Sequence, residues 1–173
     1  MPEDKDKIII EVKESQFEEE KAKKPTIRVL GFSLGEEHYC VDIKQAKEVI
    51  RVTQITRVPN TPEFIIGVTN LRGEVLALFD IKYFLGLEQK ERTKDMRVVV
   101  SDVSGSAVGF LVDKVDEAMD IELDALQPPL STLTSKVTQY TRGQIQAGLD
   151  IIIFLDLEKI LNCEEIEKLR REK

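Results

Sequence analysis

Ile65-Ile66-Gly67-Val68-Thr69-Asn70-Leu71-Arg72-Gly73-Glu74-Val75-Leu76-Ala77-Leu78-Phe79 carries two β-forming runs joined by an Arg-Gly link. Glycine at the second central position of such a link takes a positive φ at little cost, so the stretch predicts a tight β-hairpin. Its second arm, Val75 to Phe79, is apolar at every position. A strand with one wet face alternates, whereas an unbroken apolar run belongs to a strand covered on both sides. A single open sheet does not provide that cover, so a second apolar layer is required.

The flanks are also β in character. Arg28 to Leu34 alternates, Gly35-Glu36-Glu37 turns, and His38 to Ile43 returns, which predicts a first hairpin. Lys44 to Val49 reads as a short helical turn, and Thr61-Pro62-Glu63-Phe64 as a Thr-capped, Pro-started one. Beyond the decisive hairpin, Met96–Ser101 and Ala107–Val112 read as strands around a turn that includes Gly105, and Gly109 belongs to the strand entry. Pro128-Pro129 falls in a longer loop reaching about Gln139. Thr141–Ala147 and Ile151–Leu155 then form another hairpin around Gly148-Leu149-Asp150, followed by a helix from about Leu157 to Arg171 with Asp156 as its N-cap. Residues 1–26 are dense in Glu, Asp and Lys and read as a mobile tail. Within it Ile8-Ile9-Ile10-Glu11-Val12 suits an added edge strand or a partner.

The halves rhyme. Phe79-Asp80-Ile81 to Leu85 recurs as Leu155-Asp156-Leu157 to Leu161, an offset of 76; Arg72-Gly73 and Arg142-Gly143 lie 70 apart, and Val41-Asp42 and Val112-Asp113 lie 71 apart. Same order and similar offsets indicate a duplicated β unit of roughly 70 residues. Two small barrels sharing a contact surface account for the doubly apolar strand.

Composition narrows the chemistry. The 173 residues carry 25 basic and 32 acidic groups, a net charge of −7, which disfavours a nucleic-acid role. No apolar run is longer than that of Ile151 to Leu155, far short of the ~20 residues of a membrane span, and no secretory signal is expected. Cys40 and Cys163 make neither a disulfide framework nor a zinc set, and they fit a reduced, cytoplasmic setting. One histidine, His38, leaves triads and imidazole metal sites without partners; neither a nucleophile elbow nor a phosphate-binding Gly-Lys loop occurs. Asp102-Val103-Ser104-Gly105 departs from an aspartic-protease loop by its extra valine. The expectation is no catalytic residues, no cofactor and no metal.

Residues 31–43, the stretch Ile55 to Glu74 with its Gly-Val-x-Asn-Leu-Arg-Gly core, Val108-Gly109-Phe110-Leu111-Val112-Asp113, and Ile151 to Leu161 together resemble the CheW-like domain family of chemotaxis coupling proteins. The likeness runs from about Arg28 to Asn162. It implies a mainly β fold of two intertwined, five-stranded SH3-like barrels over residues 27–163, with short helices and a C-terminal helix and tail at 157–173. It also implies a non-enzymatic, cytoplasmic adaptor joining the regulatory domain of the histidine kinase CheA to the cytoplasmic tips of methyl-accepting chemoreceptors, without membrane insertion. The alternative kept beside it is a scaffold of the same fold in another receptor–kinase pathway, such as surface motility. A small hydrolase or nucleotide-binding barrel is the other class.

Five residues follow as candidate partner contacts. Arg72, at the hairpin tip, offers a planar five-donor cation suited to carboxylates or carbonyls of a partner helix. Spacing alone equally allows a solvated turn arginine or a brace to an internal carboxylate. Glu48 and Ala46 border the receptor groove by resemblance, although the family often has a larger apolar residue where Ala46 stands. Asn70 and Gly67 adjoin that surface in the family, while their own chemistry favours holding the turn and allowing a close backbone approach.

Overall fold

The computed structural model describes residues 24–103 and 105–171. The expectations for the N-terminal tail up to residue 23, Ile8–Val12 included, lie outside them.

Ten strands form two five-stranded sheets. The strands are β1 (Thr26–Leu34), β2 (Glu37–Asp42), β3 (Glu48–Arg51), β4 (Ile65–Leu71), β5 (Glu74–Asp80), β6 (Arg97–Val103), β7 (Ser106–Val112), β8 (Lys114–Glu122), β9 (Thr141–Ala147) and β10 (Asp150–Leu155). The helices are short: α1 (Ile81–Leu85), α2 (Ser135–Gln139), α3 (Leu157–Leu161) and α4 (Glu164–Arg171). The first sheet has the order β8-β1-β2-β10-β9 and the second β3-β6-β7-β5-β4. Each curls as an SH3-like subdomain, and a single bridge rather than a full ladder links its edges: Gln127 to Gln144 in the first, Thr56 to Val68 in the second.

The duplication is real, and it is swapped. Strands β1–β5 form one repeat and β6–β10 the next, yet each sheet takes two strands from one repeat and three from the other. The central parallel pairs, β2 with β10 and β7 with β5, are the joints of this exchange. Neither subdomain is therefore a continuous piece of chain.

The doubly apolar strand finds its cover in this arrangement. Leu76 and Leu78 point into a small core of the second sheet with Val98 and Val100, whereas Phe79 belongs to the large core between the sheets. In the first sheet Cys40 and Phe154 point inward with Val29, while Tyr39, Val41, Ile153 and Leu155 enter the shared core. Period two thus divides each central strand between two apolar environments. Val75 departs from the expectation: it is 73% exposed, beside the hairpin tip.

Local expectations fared unevenly. Asp80 and Asp156 do cap helices, accepting from the backbone N–H groups of Lys82 and Glu158 at 3.0 Å each. Strand β3 begins at Glu48, so the helical turn expected to Val49 shrinks to a hydrogen-bonded turn at Asp42–Ala46. Thr61 caps nothing; its hydroxyl donates to the Val58 carbonyl, and Pro62 to Ile65 is a simple turn. The C-terminal helix is two helices, α3 and α4, parted at Asn162-Cys163. The match of Arg72-Gly73 to Arg142-Gly143 is accidental, because Arg142 lies inside β9 rather than at a tip. No helix among the described residues is long and apolar enough to cross a membrane.

Candidate functional site

The site is built on the β4–β5 hairpin and the crossover that carries the chain from the first sheet to the second. At the hairpin tip both central residues have positive φ, Arg72 at 52° and Gly73 at 86°. That is the primed turn whose twist matches the strands, and arginine there tolerates a conformation glycine or asparagine takes more readily. Asn70 holds the turn: its side-chain oxygen accepts from the Gly73 N–H at 2.9 Å. Gly67, at φ 154°, lets the backbone of β4 approach the Thr56 segment; a Cβ there would lie 2.4 Å from the Thr56 carbonyl oxygen.

The arginine is not free. Its guanidinium meets Glu48 of β3 in a two-pronged pair, Nη1 to Oε1 at 3.1 Å and Nη2 to Oε2 at 2.8 Å. β3 and β4 are the two edges of the second sheet, so the pair joins edges that no ladder connects. The Arg72 side chain is 75% exposed and that of Glu48 24%, so the pair contributes about 1 kcal/mol at most to stability. The exposed apolar residues of these elements are Val75 on β5, beside the tip, and Val49 on β3, on the opposite face of that strand from Glu48.

Ala46 does not join this surface. It is buried in the shared core at the end of the crossover turn. Beside it Gln45 fixes the crossover to the first subdomain, donating to Asp156 Oδ1 at 2.9 Å and accepting from the Leu157 N–H at 3.0 Å. Arg72, Glu48 and Asn70 therefore sit together with Gly67 behind them, while Ala46 is a packing residue of the segment that delivers Glu48.

Sequence reasoning missed the return crossover. Lys82 of α1, its side chain 7% exposed, contacts Asp113 at 2.7 Å, and the other Asp113 oxygen accepts from the Gly35 N–H at 2.6 Å. One carboxylate thus ties α1 of the second subdomain to the β1–β2 turn of the first. Nearby Asp80 also accepts from Gln89, and burial raises its carboxyl above the ordinary range against the lowering pull of the Lys82 N–H. A cavity of about 490 Å³ opens over this network, lined by Arg57, Glu63, Gln89 and Arg92 among others. Among the described residues no group of three or more His, Cys, Asp or Glu side chains is placed to hold a metal.

Paired SH3-like subdomains whose most distinctive surface is a solvent-facing ion pair at a hairpin tip with exposed Val75 have the make-up of a protein-binding scaffold. More specifically, the chain belongs to the CheW-like domain family, whose model matches residues 28–165. The chemotaxis protein CheW of Klebsiella aerogenes is 32% identical over 78% of this chain and 81% of that protein. The chemotaxis protein CheW of Thermotoga maritima is also 32% identical, over 80% and 88%. Among solved structures, the scaffolding protein TtCheW of Thermoanaerobacter tengcongensis superposes with a TM-score of 0.71 at 30% identity, covering 82% of this chain and 96% of that one.

Proposed function

We propose that this protein is a non-enzymatic chemotaxis adaptor, working in the cytoplasm, that couples the regulatory domain of the histidine kinase CheA to the cytoplasmic tips of methyl-accepting chemoreceptors. The observation that carries the site assignment is the Arg72–Glu48 pair: it adds little to stability, is held in a fixed geometry, and stands at a hairpin tip that also exposes Val75. A preset guanidinium fork costs little entropy to engage and reads carboxylates or helix-end carbonyls on a partner. Asn70 and Gly67 position the tip, and Glu48 orients the arginine. Each contact is small, so stable assembly depends on several being made at once.

The test is co-sedimentation with receptor-bearing membranes in the presence of CheA. Arg72→Glu is expected to lose binding while its thermal melt stays within a few degrees of wild type, and Glu48→Arg combined with Arg72→Glu is expected to restore the fold's ion pair without restoring binding. Full binding by Arg72→Glu removes the hairpin tip from the contact.

A further inference from the structure

The two subdomains are copies of one plan, so each position in one has a counterpart in the other. The capping residues Asp80 and Asp156 align β4–β5 with β9–β10 at an offset of 76. Arg72 then corresponds to Gly148, Gly73 to Leu149 and Val75 to Ile151. The parallel registers, Phe79 beside Phe110 and Leu155 beside Val41, align Val41 with Phe110. Through the antiparallel registers Gly31 then corresponds to Val100. Val100 is the strand partner of Glu48. The counterpart partner of Gly31 is the β-bulge of β8 containing Asp116 and Glu117.

The first subdomain has thus kept the carboxylates and lost the arginine. Gly148 stands in the arginine's place and Leu149, which is 102% exposed, in that of Gly73, followed by Ile151 at 40%. The registers set Ile152 beside His38, His38 beside Ser33 and Ser33 beside Lys114, so Ile151 and Glu37, one residue further on, share one end of the sheet with them. That end carries Glu36, Glu37, Asp116, Glu117 and Asp150 against Lys114 and His38. No ion pair with a described cation engages any of these five acids. Glu37 accepts from the Tyr39 hydroxyl and Asp116 from Ser33. A fully exposed leucine at a hairpin tip contributes nothing to folding, and beside uncompensated carboxylates it offers both halves of a small recognition surface.

We propose that this end of the first subdomain docks a basic protein segment, whose arginine takes the place that Arg72 holds in the second subdomain and whose aliphatic neighbour packs on Leu149 and Ile151. This surface is separate from the Arg72–Glu48 site. The partner is an arginine-bearing peptide because the corresponding carboxylate of the second subdomain, Glu48, is met by a guanidinium, and the local charge repels acidic segments.

The experiment titrates the full-length, isotope-labelled protein with the peptide acetyl-Gly-Leu-Arg-Gly-Leu-amide while amide NMR shifts are followed. Saturable shifts confined to residues 35–38, 114–117 and 147–151 are expected. Leu149→Ser and Glu117→Lys, both at exposed positions, should each weaken binding by about tenfold or more, and Lys159→Ala, exposed on α3, should leave it unchanged. The residues followed here are separate from Arg72 and Glu48, which keeps this outcome independent of the chemoreceptor reading. Absence of saturable shifts at the tip, equal shifts with the glutamate-substituted peptide, or Leu149-dependent self-association by light scattering in place of peptide binding would each overturn the proposal.

Discussion

Replacing Lys82 by methionine keeps most of the side chain's volume and removes its charge. In the native fold the Lys82 ammonium lies 2.7 Å from Asp113, with side chains only 7% and 20% exposed. Removing one member of a buried pair costs about 3–5 kcal/mol, because the other charge is left without compensation. Asp113 retains the Gly35 N–H at 2.6 Å and some access to water, which places the expected loss near the lower bound, about 3 kcal/mol. For a chain of this size that corresponds to a fall in Tm of roughly 6–12 °C. Urea unfolding gives the free energy, and a double-mutant cycle with Asp113→Leu isolates the pair. Removing both charges should cost less than the sum of the single losses by at least about 1 kcal/mol. A Lys82→Met loss below about 1 kcal/mol, or strict additivity in the cycle, would refute the view that this carboxylate fastens the two subdomains.

Gly67→Ala and Gly143→Ala should each destabilise by about 1–3 kcal/mol or more: both glycines have φ near 154°, and each added Cβ would lie 2.4 Å from a carbonyl, that of Thr56 or Gln127. Thermal melts equal to wild type would contradict the close approach. Burial raises the Asp80 carboxyl, so just above the ordinary carboxylate range the folded state holds more protons than the unfolded one, and stability falls as pH rises through that window. Asp80→Asn keeps a capping oxygen, so it should flatten this slope just above the ordinary carboxylate range; unchanged pH dependence would contradict it. Burial pushes the Cys40 thiol up to about 12, while Cys163 is partly exposed. A thiol reagent at pH 8 should therefore label Cys163 alone until denaturant is added, and rapid labelling of both in the native protein would contradict the packing.

Much of the fold was legible because the decisive signals are local. The β4–β5 hairpin follows from its turn residues, and the need for two layers from the apolar run of β5. What escaped is non-local or irregular. In β8, Val115 and Ile121 are six residues apart and in phase for a period of two, yet the bulge at Asp116-Glu117 sends Val115 to the large core and Ile121 to the small core of the first sheet, which the sequence does not show. The strand exchange leaves no trace in chain order, since a repeat looks the same whether its strands pair within it or across. The break at Asn162-Cys163 lies in a sequence compatible with continuing helix, and packing of Leu161 and Ile166 decides it. The true partner of Gly143 is Gly67, not Gly73, and only backbone geometry shows this. At the site, Arg72 and Asn70 were visible from turn chemistry. The pairing of Arg72 with Glu48, 24 residues away, depends on two sheet edges meeting.

The central claim is that this chain joins a kinase to a receptor. A pull-down of the purified CheA regulatory domain by this protein, with and without a receptor signalling fragment, tests it most directly. The account predicts binding to each partner and recovery of all three together. A folded protein that binds neither cognate partner would contradict it.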